Sequence, residues 1–303
     1  MKFSIFQESR RGARADNQDR VGYCYSRDAL LMVVADGMGG HVHGEVAAQI
    51  AVQFLAEAFQ REAQPRLTDP FLFLLKGFAG AHDAILEYAG TRGLSETPRT
   101  TCVACVVQDS IAFWTHAGDS RLYHLRDGHV YAQTKDHSRA QLLADRGYIR
   151  EEALASHPDR NKIFNCLGGA TPPQVELSRK TVLEPGDTLL LCTDGLWGPL
   201  SGETIRDALE GGDVIQGVPD LLDLAELRAG RESDNLSAIA MTWADRYSDR
   251  EAQVSTLELQ PTGFTARMDE FGKAAAGQGE LTEDEIEQAV AEIRNAIRKH
   301  SGK

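Results

Sequence analysis

The sequence has no apolar run near the ~20 residues that a bilayer-spanning helix needs, although 42% of its 303 residues are hydrophobic. An excess of basic charge is missing as well. Lys and Arg number 32 against 45 Asp and Glu, a formal net charge of −13, which disfavours a nucleic-acid partner. Cysteines are few and odd in number, five in all, so no disulfide framework is expected. Cys102 and Cys105 do match the C-x-x-C redox spacing. They lie in "TTCVACVV", however, a run with strand character, where positions i and i+3 face opposite sides; buried core thiols are the expectation. Loops that cradle nucleotide phosphates, G-x-x-x-x-G-K-[ST] and G-x-G-x-x-G, do not occur. None of Cys24, Cys102, Cys105, Cys166 or Cys192 has the arginine six places on that a cysteine phosphatase requires. The N-terminal "MKFSIFQESRRGARADNQD" is too charged and too poor in apolar residues for a secretory signal. The expected location is cytoplasmic, without a membrane partner.

What is present is a recurrent ending. "LMVVADGMGG" (31–40) and "LLLCTDG" (189–195) are apolar runs that each finish in Asp-Gly. Asp-Gly commonly makes a hairpin turn, but both runs lead into helix-like sequence, so these are strand exits into loops, where functional residues sit on a rigid scaffold. Asp119 follows "IAFWTHAG" and Asp234 opens "NLSAIAMTW" in the same manner. Carboxylates at the ends of four core strands, converging on one rim, would repel one another, and divalent cations would neutralise them. Oxygen donors with no Cys or His at metal spacing select Mg²⁺ or Mn²⁺ over Zn²⁺. Glycine after Asp36 lets the backbone carbonyl turn toward the same ion.

Periodicity supplies the frame. Two strands are predicted over 20–35, joined by Ser26-Arg27-Asp28, then helices from Val46 to Phe59 and from Pro70 to Ala89, the second with Leu75, Phe78, Ala79, His82 and Ile85 on one stripe. Short strands follow ("TTCVACVV", "IAFWTHA", "RLYHLR", "HVYAQT"), then a helix over 138–146 capped by Ser138 and an irregular segment over 147–165. Strands are expected at 162–168, 174–182 and 187–193, helices at 201–210 and 220–229, and a closing strand at "NLSAIAMTW". Sheets packed together with helices outside make an α+β sandwich. Residues 1–244 are expected to form this unit, with 245–303 a polar extension. Its 282–300 stretch reads as an amphipathic helix with a Thr282/Glu285 capping box and Ile286, Val290, Ile293 and Ile297 on one face. That face is too sparse to stand alone, so it docks on the main domain or pairs with a second copy.

Taken together, "RADNQD" (14–19), "VVADGMGGHVHGE" (33–45), "TTCVAC" (100–105), "HAGDSRLYHLRDG" (116–128), "TKDHS" (134–138), "LLLCTDGLW" (189–197) and "SDNLSAIAM" (233–241) stand in a specific order. In these motifs, over roughly residues 5–244, the chain resembles the bacterial metal-dependent serine/threonine protein phosphatases of type 2C. The resemblance implies a four-layer α-β-β-α sandwich of two antiparallel sheets with metals at one end. It implies two Mn²⁺ or Mg²⁺ ions, Asp36 bridging them, the Gly37 carbonyl on one and Asp194 and Asp234 on the other. Asp119 with Asp194 would hold a third, weaker ion. Asp19 and Asn235 would support these ligands from behind, with Gln18 beside them, and Arg14 would grip the substrate phosphate. Water activated between the ions would attack phosphorus with no covalent phosphoenzyme.

Two positions depart from the family pattern. Gln18 stands where many relatives have Glu, removing a negative charge near the metals. Met38 stands where animal and plant members carry a histidine proposed as general acid, a place where bacterial members commonly have Met; His41 is the nearest candidate donor and a metal-bound water the alternative. His43, His116 and His137 are read as structural or surface residues, and Arg10 and Arg11 as surface. The implied partners are phosphorylated proteins and a cognate serine/threonine kinase. Two rival readings are a catalytically inactive phosphoprotein binder, which should have lost a metal carboxylate, and a phosphatase acting on a transcription-regulator switch.

Overall fold

The computed structural model describes residues 1–38, 43–244, 253–255 and 263–265. In chain order the elements are strands β1 (Lys2–Arg10), β2 (Asp19–Tyr25) and β3 (Ala29–Asp36), then helices α1 (Gly44–Glu62) and α2 (Pro70–Arg92). Strands β4 (Cys102–Gln108), β5 (Ile111–Ala117), β6 (Arg121–Arg126) and β7 (His129–Gln133) precede helix α3 (Arg139–Asp145) and a 3-10 turn at Glu151–Ser156. Two short strands, β8 (Glu176–Leu177) and β9 (Thr181–Val182), lead to β10 (Thr188–Cys192). Helices α4 (Asp194–Trp197), α5 (Gly202–Ala208) and α6 (Val214–Ala229) come before β11 (Leu236–Trp243). Strands β12 (Gln253–Ser255) and β13 (Gly263–Thr265) come last among the described residues.

Two antiparallel sheets result. One runs β12-β1-β11-β10-β6-β7 and the other β13-β2-β3-β4-β5-β8, with β9 also on β5. The central strands are continuous apolar runs because both of their faces are covered. In β3, Leu31, Val33 and Ala35 pack under α1 and α2, while Leu30, Met32 and Val34 face the opposite sheet. Strand β4 divides in the same way, which puts Cys102 in the helix-side core and Cys105 between the sheets. Leu189, Leu191, Ile239 and Met241 meet them across the sandwich, while Leu190, Cys192, Ala238 and Ala240 pack against α4, α5 and α6. The four-layer α-β-β-α sandwich expected from the motifs is thus the observed fold, and all five cysteines are free.

Local chemistry sets the element ends. Asp69 caps α2 by accepting from the Phe71 and Leu72 N–H groups, and Gly93 ends it in the left-handed region. Helices α1 and α2 approach closely because Gly77 and Gly80 leave room for Leu55 and Phe54, which a Cβ would meet at 2.4 and 2.3 Å. His82 is a core histidine, its Nδ1 accepting from the Gly168 N–H at 3.1 Å.

Some expectations need correction. The N-terminal strand β1 was not anticipated, since only Phe3 and Ile5 of its nine residues are buried. Arg10 is no free surface group; it pairs with Glu8, Asp223 and Glu226, tying β1 to α6. Leu75 and Ala79 turn to solvent rather than joining the buried stripe. Residues 162–168 make only isolated bridges, Ile163 to Ser138 and Leu167 to Thr100. Helix α6 starts at Val214, capped by Asp213, and carries Pro219 within it instead of starting after it. The predicted helix over 282–300 lies outside the described residues.

One buried ion pair pins the far end of the sandwich. Asp187, 1% exposed, accepts from Arg126 Nε at 2.8 Å and from the Glu184 N–H at 2.8 Å, with His124 Nε2 2.9 Å away. Burial works to raise this carboxyl, but the hydrogen bonds from Arg126 and the Glu184 N–H, with the His124 ring close by, outweigh it and hold it below its ordinary value. A folded pKa below the unfolded one (~3.9) gives stability that is present at neutral pH and lost as pH falls through the folded value. Asp187→Asn should therefore cost about 3 kcal/mol at pH 7 in urea denaturation, with the gap to wild type closing as pH falls through the folded value.

Candidate metal and phosphate site

The acids at the strand ends meet. A cavity of about 470 Å³ at one end of the sandwich is lined by Arg14, Gln18, Asp36, Gly37, Asp119, Asp194, Asp234 and Asn235, together with Ala15, Asp16, Met38, Thr101, Asn161 and Ile163. Asp19 lies just behind it, 2% exposed. His41 lies outside the described residues. Asn161 and Ile163 were not anticipated; they come from the irregular segment after α3, and no local pattern in the sequence marks them.

Each acid is fixed by main-chain geometry. Asp36 ends β3, where its carbonyl accepts from the Thr101 N–H at 2.8 Å and from the Thr100 hydroxyl at 2.7 Å, and its N–H donates to Thr101 Oγ1. Gly37 follows with its N–H on the Gln18 carbonyl at 3.2 Å. A Cβ there would lie 2.4 Å from the Gly44 backbone, so only glycine fits. Asp194 is the first residue of α4, and the Thr193 hydroxyl before it donates to Asp19 Oδ2 at 2.8 Å while accepting from the Ser237 N–H. Asn235 Oδ1 accepts from the Gln18 N–H at 2.8 Å, and its amide donates to the Arg11 and Asp16 carbonyls. One side chain at the start of β11 thereby fastens the loop that presents Arg14.

The electrostatics are those of crowded anions. Burial raises the Asp36 carboxyl well above its ordinary value, and the charges of Asp19, Asp194, Asp119 and Asp234 add to it. Asp119 is raised likewise, by burial and then by Asp194. Asp194 is pushed up to about 6 by burial and by Asp234, an effect its hydrogen bond with Asp36 partly offsets. Asp19 is pushed up to about 7 by burial, and its Oδ1 has no hydrogen-bond partner. Asp234 differs: its Oδ1 accepts from the Asn235 N–H at 2.8 Å and its Oδ2 from Arg14 Nη2 at 2.7 Å. Among the described residues no three His, Cys, Asp or Glu side chains close around a single point as a metal cage does. The arrangement is pairwise, Asp36 with Asp194 and Asp234 with Arg14. Burial and mutual repulsion thus oppose the charged form of these acids, and cations would relieve both; an all-oxygen donor set of this charge suits hard divalent ions. The residues fit such ions, provided Asp234 exchanges Arg14 for one of them.

His116 and His137, read as structural, are both buried and stack at 4.3 Å. His137 Nδ1 accepts from the Gly118 N–H and contacts the Asn165 amide, and burial with the neighbouring His116 holds its pKa down at about 3. It is a neutral girder under the Asp119 loop.

The protein phosphatase 2C family model matches residues 7–212. The serine/threonine protein phosphatase PstP of Mycobacterium tuberculosis is 36% identical over 232 residues, covering 77% of this chain and 43% of PstP. The serine/threonine phosphatase stp of Listeria monocytogenes is 31% identical, covering 77% of this chain and 93% of its own length. The solved catalytic domain of PstP in complex with two manganese ions superposes with a TM-score of 0.67 at 32% identity, over 80% of this chain and 99% of that one. The fold and site define a metal-dependent phosphoprotein phosphatase. The chain belongs to the protein phosphatase 2C family, the metal-dependent serine/threonine phosphatases.

A pH dependence follows from the raised acids. A carboxyl whose folded pKa exceeds its unfolded value (~4) destabilises the fold progressively as pH rises between the two. With Asp194 near 6 and Asp19 near 7, the chelator-treated protein should melt at a higher temperature at pH 5 than at pH 8. Excess Mn²⁺ should raise the melting temperature more at pH 8, as scanning calorimetry can test.

Proposed function

We propose that Asp36, the Gly37 carbonyl, Asp194 and Asp234 hold two Mn²⁺ or Mg²⁺ ions, that Asp119 and Asp194 share a third, weaker one, and that Arg14 receives the phosphate of a phosphoserine or phosphothreonine side chain. The observation that carries this reading is the convergence of four strand-end aspartates and one exposed arginine on a single cavity. Ions bound there supply positive charge and lower the pKa of water enough to make it a nucleophile near neutral pH. The chain does the rest. Arg14, 59% exposed, releases Asp234 Oδ2 and presents its planar fork to two phosphoryl oxygens. Asn235 holds the Arg14 loop in register with β11, and Asp19, fixed by Thr193, supports the acids from behind. Gln18 lines the cavity without adding charge. Met38 has no proton to give, so His41 is the residue we assign to protonating the leaving oxygen.

An inactive phosphoprotein binder should lack one of the carboxylates; Asp36, Asp119, Asp194 and Asp234 all line the cavity. The natural role proposed is to oppose a serine/threonine kinase, as distinct from serving a transcription-regulator switch, in a cytoplasmic setting that suits five free thiols. No helix among the described residues is long and apolar enough to cross a membrane. The 245–303 extension adds β12 and β13 to the edges of the two sheets, and its 282–300 stretch is proposed for docking or self-association.

Asp36→Asn should lower phosphate release from a phosphothreonine peptide in Mn²⁺ by about 10²–10³, and equal rates for variant and wild type would refute the reading. Arg14→Ala should cost about 10² in kcat/KM without changing how many Mn²⁺ ions bind in equilibrium dialysis. His41→Ala should slow phosphothreonine hydrolysis about 10²-fold while sparing p-nitrophenyl phosphate, whose leaving group needs no proton.

A further inference from the structure

Trp197 stands outside the roles assigned above, although it is one turn along the helix that begins with Asp194. Its indole Nε1–H donates to the main-chain carbonyl of Asp119 at 2.9 Å. The ring is not free to swing. The Arg121 guanidinium lies over it, 3.5 Å from the centroid, and is locked in turn by two hydrogen bonds to Asp136, at 2.7 and 2.8 Å, and one to the Tyr123 hydroxyl.

The other hydrogen bonds of this loop run elsewhere. Gly118 exchanges with His137, its N–H to the ring and its carbonyl from the His137 N–H. Ser120 Oγ pairs with Thr101 Oγ1 at 2.7 Å. The indole bond runs straight from the Asp194 helix to Asp119 itself. Two carboxylates lining one cavity repel when ionised, and the indole bond resists their parting.

We infer that Trp197 is a positioning residue, whose N–H fixes the spacing of the Asp119 and Asp194 carboxylates and thereby sets the affinity of the weaker cation they share. The inference rests on the proposed reading that these two acids share an ion. It works as other hydrogen bonds behind metal ligands do, where losing the supporting partner typically costs about 10–100-fold in metal affinity.

The test is calorimetric Mn²⁺ titration of the full chain, with thermal melts of the metal-free protein. Trp197→Phe keeps an aromatic face for Arg121 and removes the donor. The weakest Mn²⁺ step should lose about tenfold in affinity, while the tighter steps stay within about twofold and the melting temperature holds. No change in any step, or equal weakening of all of them, overturns the inference, since an ordinary packing role predicts one or the other. Should Trp197→Phe fail to fold, Arg121→Lys decides: it keeps the charge, loses the flat stack and the fork, and should show the same selective loss. Asp119→Asn separates the two layers of the argument. If the weak step survives in that variant, or wild type binds no such ion, the shared-ion reading itself fails. If the step vanishes there and persists unchanged in the Trp197 variant, only the role of Trp197 fails.

Discussion

Like charges brought together out of water set the terms for this molecule. Two carboxylates 4 Å apart repel by about 4 kcal/mol at an effective dielectric of 20, and here Asp36, Asp119, Asp194 and Asp234 line one cavity with Asp19 behind them. Side-chain packing alone does not hold such a group together. The Asp36 backbone is gripped by Thr100 and Thr101, Asp194 starts a helix whose preceding residue is bonded to Asp19 and Ser237, and the Asp119 loop is held by His137, Thr101 and Trp197. Asp19 apart, these are neutral donors and acceptors attached to sheet or helix, so they hold position without cancelling the charge. The charge is left for protons or cations to balance.

The sandwich makes that concentration affordable. Its central strands are covered on both faces, and β3, β5, β10 and β11 each bring one acid to the rim where the layers open. Backbones must then crowd at the rim, and the glycines mark where. Gly37 rests against Gly44, Gly195 would place a Cβ 2.0 Å from the Asn235 carbonyl, and Gly12, at φ +61°, would place one 2.1 Å from that of Asp234. The glycine of each Asp-Gly pair is therefore a requirement of close approach as much as of turning.

How legible this was depends on where the determining forces lie. Strands β3, β4, β10 and β11 could be read because burial on both faces leaves an unbroken apolar run, and the acids could be read because Asp36, Asp119 and Asp194 close or follow the runs of β3, β5 and β10 while Asp234 stands just before that of β11. Strand β1 could not: with most of its residues only partly buried, its alternation is faint, and its pairing with β11 is a long-range contact. Residues 162–168 look like a strand in composition, yet Leu167 is buried through a single bridge to Thr100 rather than a ladder. Asn161 and Ile163 were invisible as site residues for a related reason. Each reaches the site through tertiary approach, with no periodicity or local spacing to announce it. Arg10 was misread because its partners Asp223 and Glu226 are more than two hundred residues away in sequence.

Exposure across the cavity also gives the site a direction. Asp119 and Asp19 are nearly sealed, at 4% and 2%, whereas the Arg14 and Asp234 side chains are 59% and 38% exposed. A phosphoryl group on a protein surface can arrive only from the open side, where the guanidinium stands, and the sealed acids can be reached only by something as small as an ion. The Arg14–Asp234 pair sits on the boundary between these two zones. It is exposed enough to be weak, worth about 0–1 kcal/mol for a surface pair, so exchanging it for a cation on Asp234 and a phosphate on Arg14 costs little. A buried pair in that place, such as Arg126 with Asp187 at the opposite end, would hold both partners shut. On the proposed reading, the same two residue types would act as a latch in one setting and as a structural pin in the other, with burial deciding which.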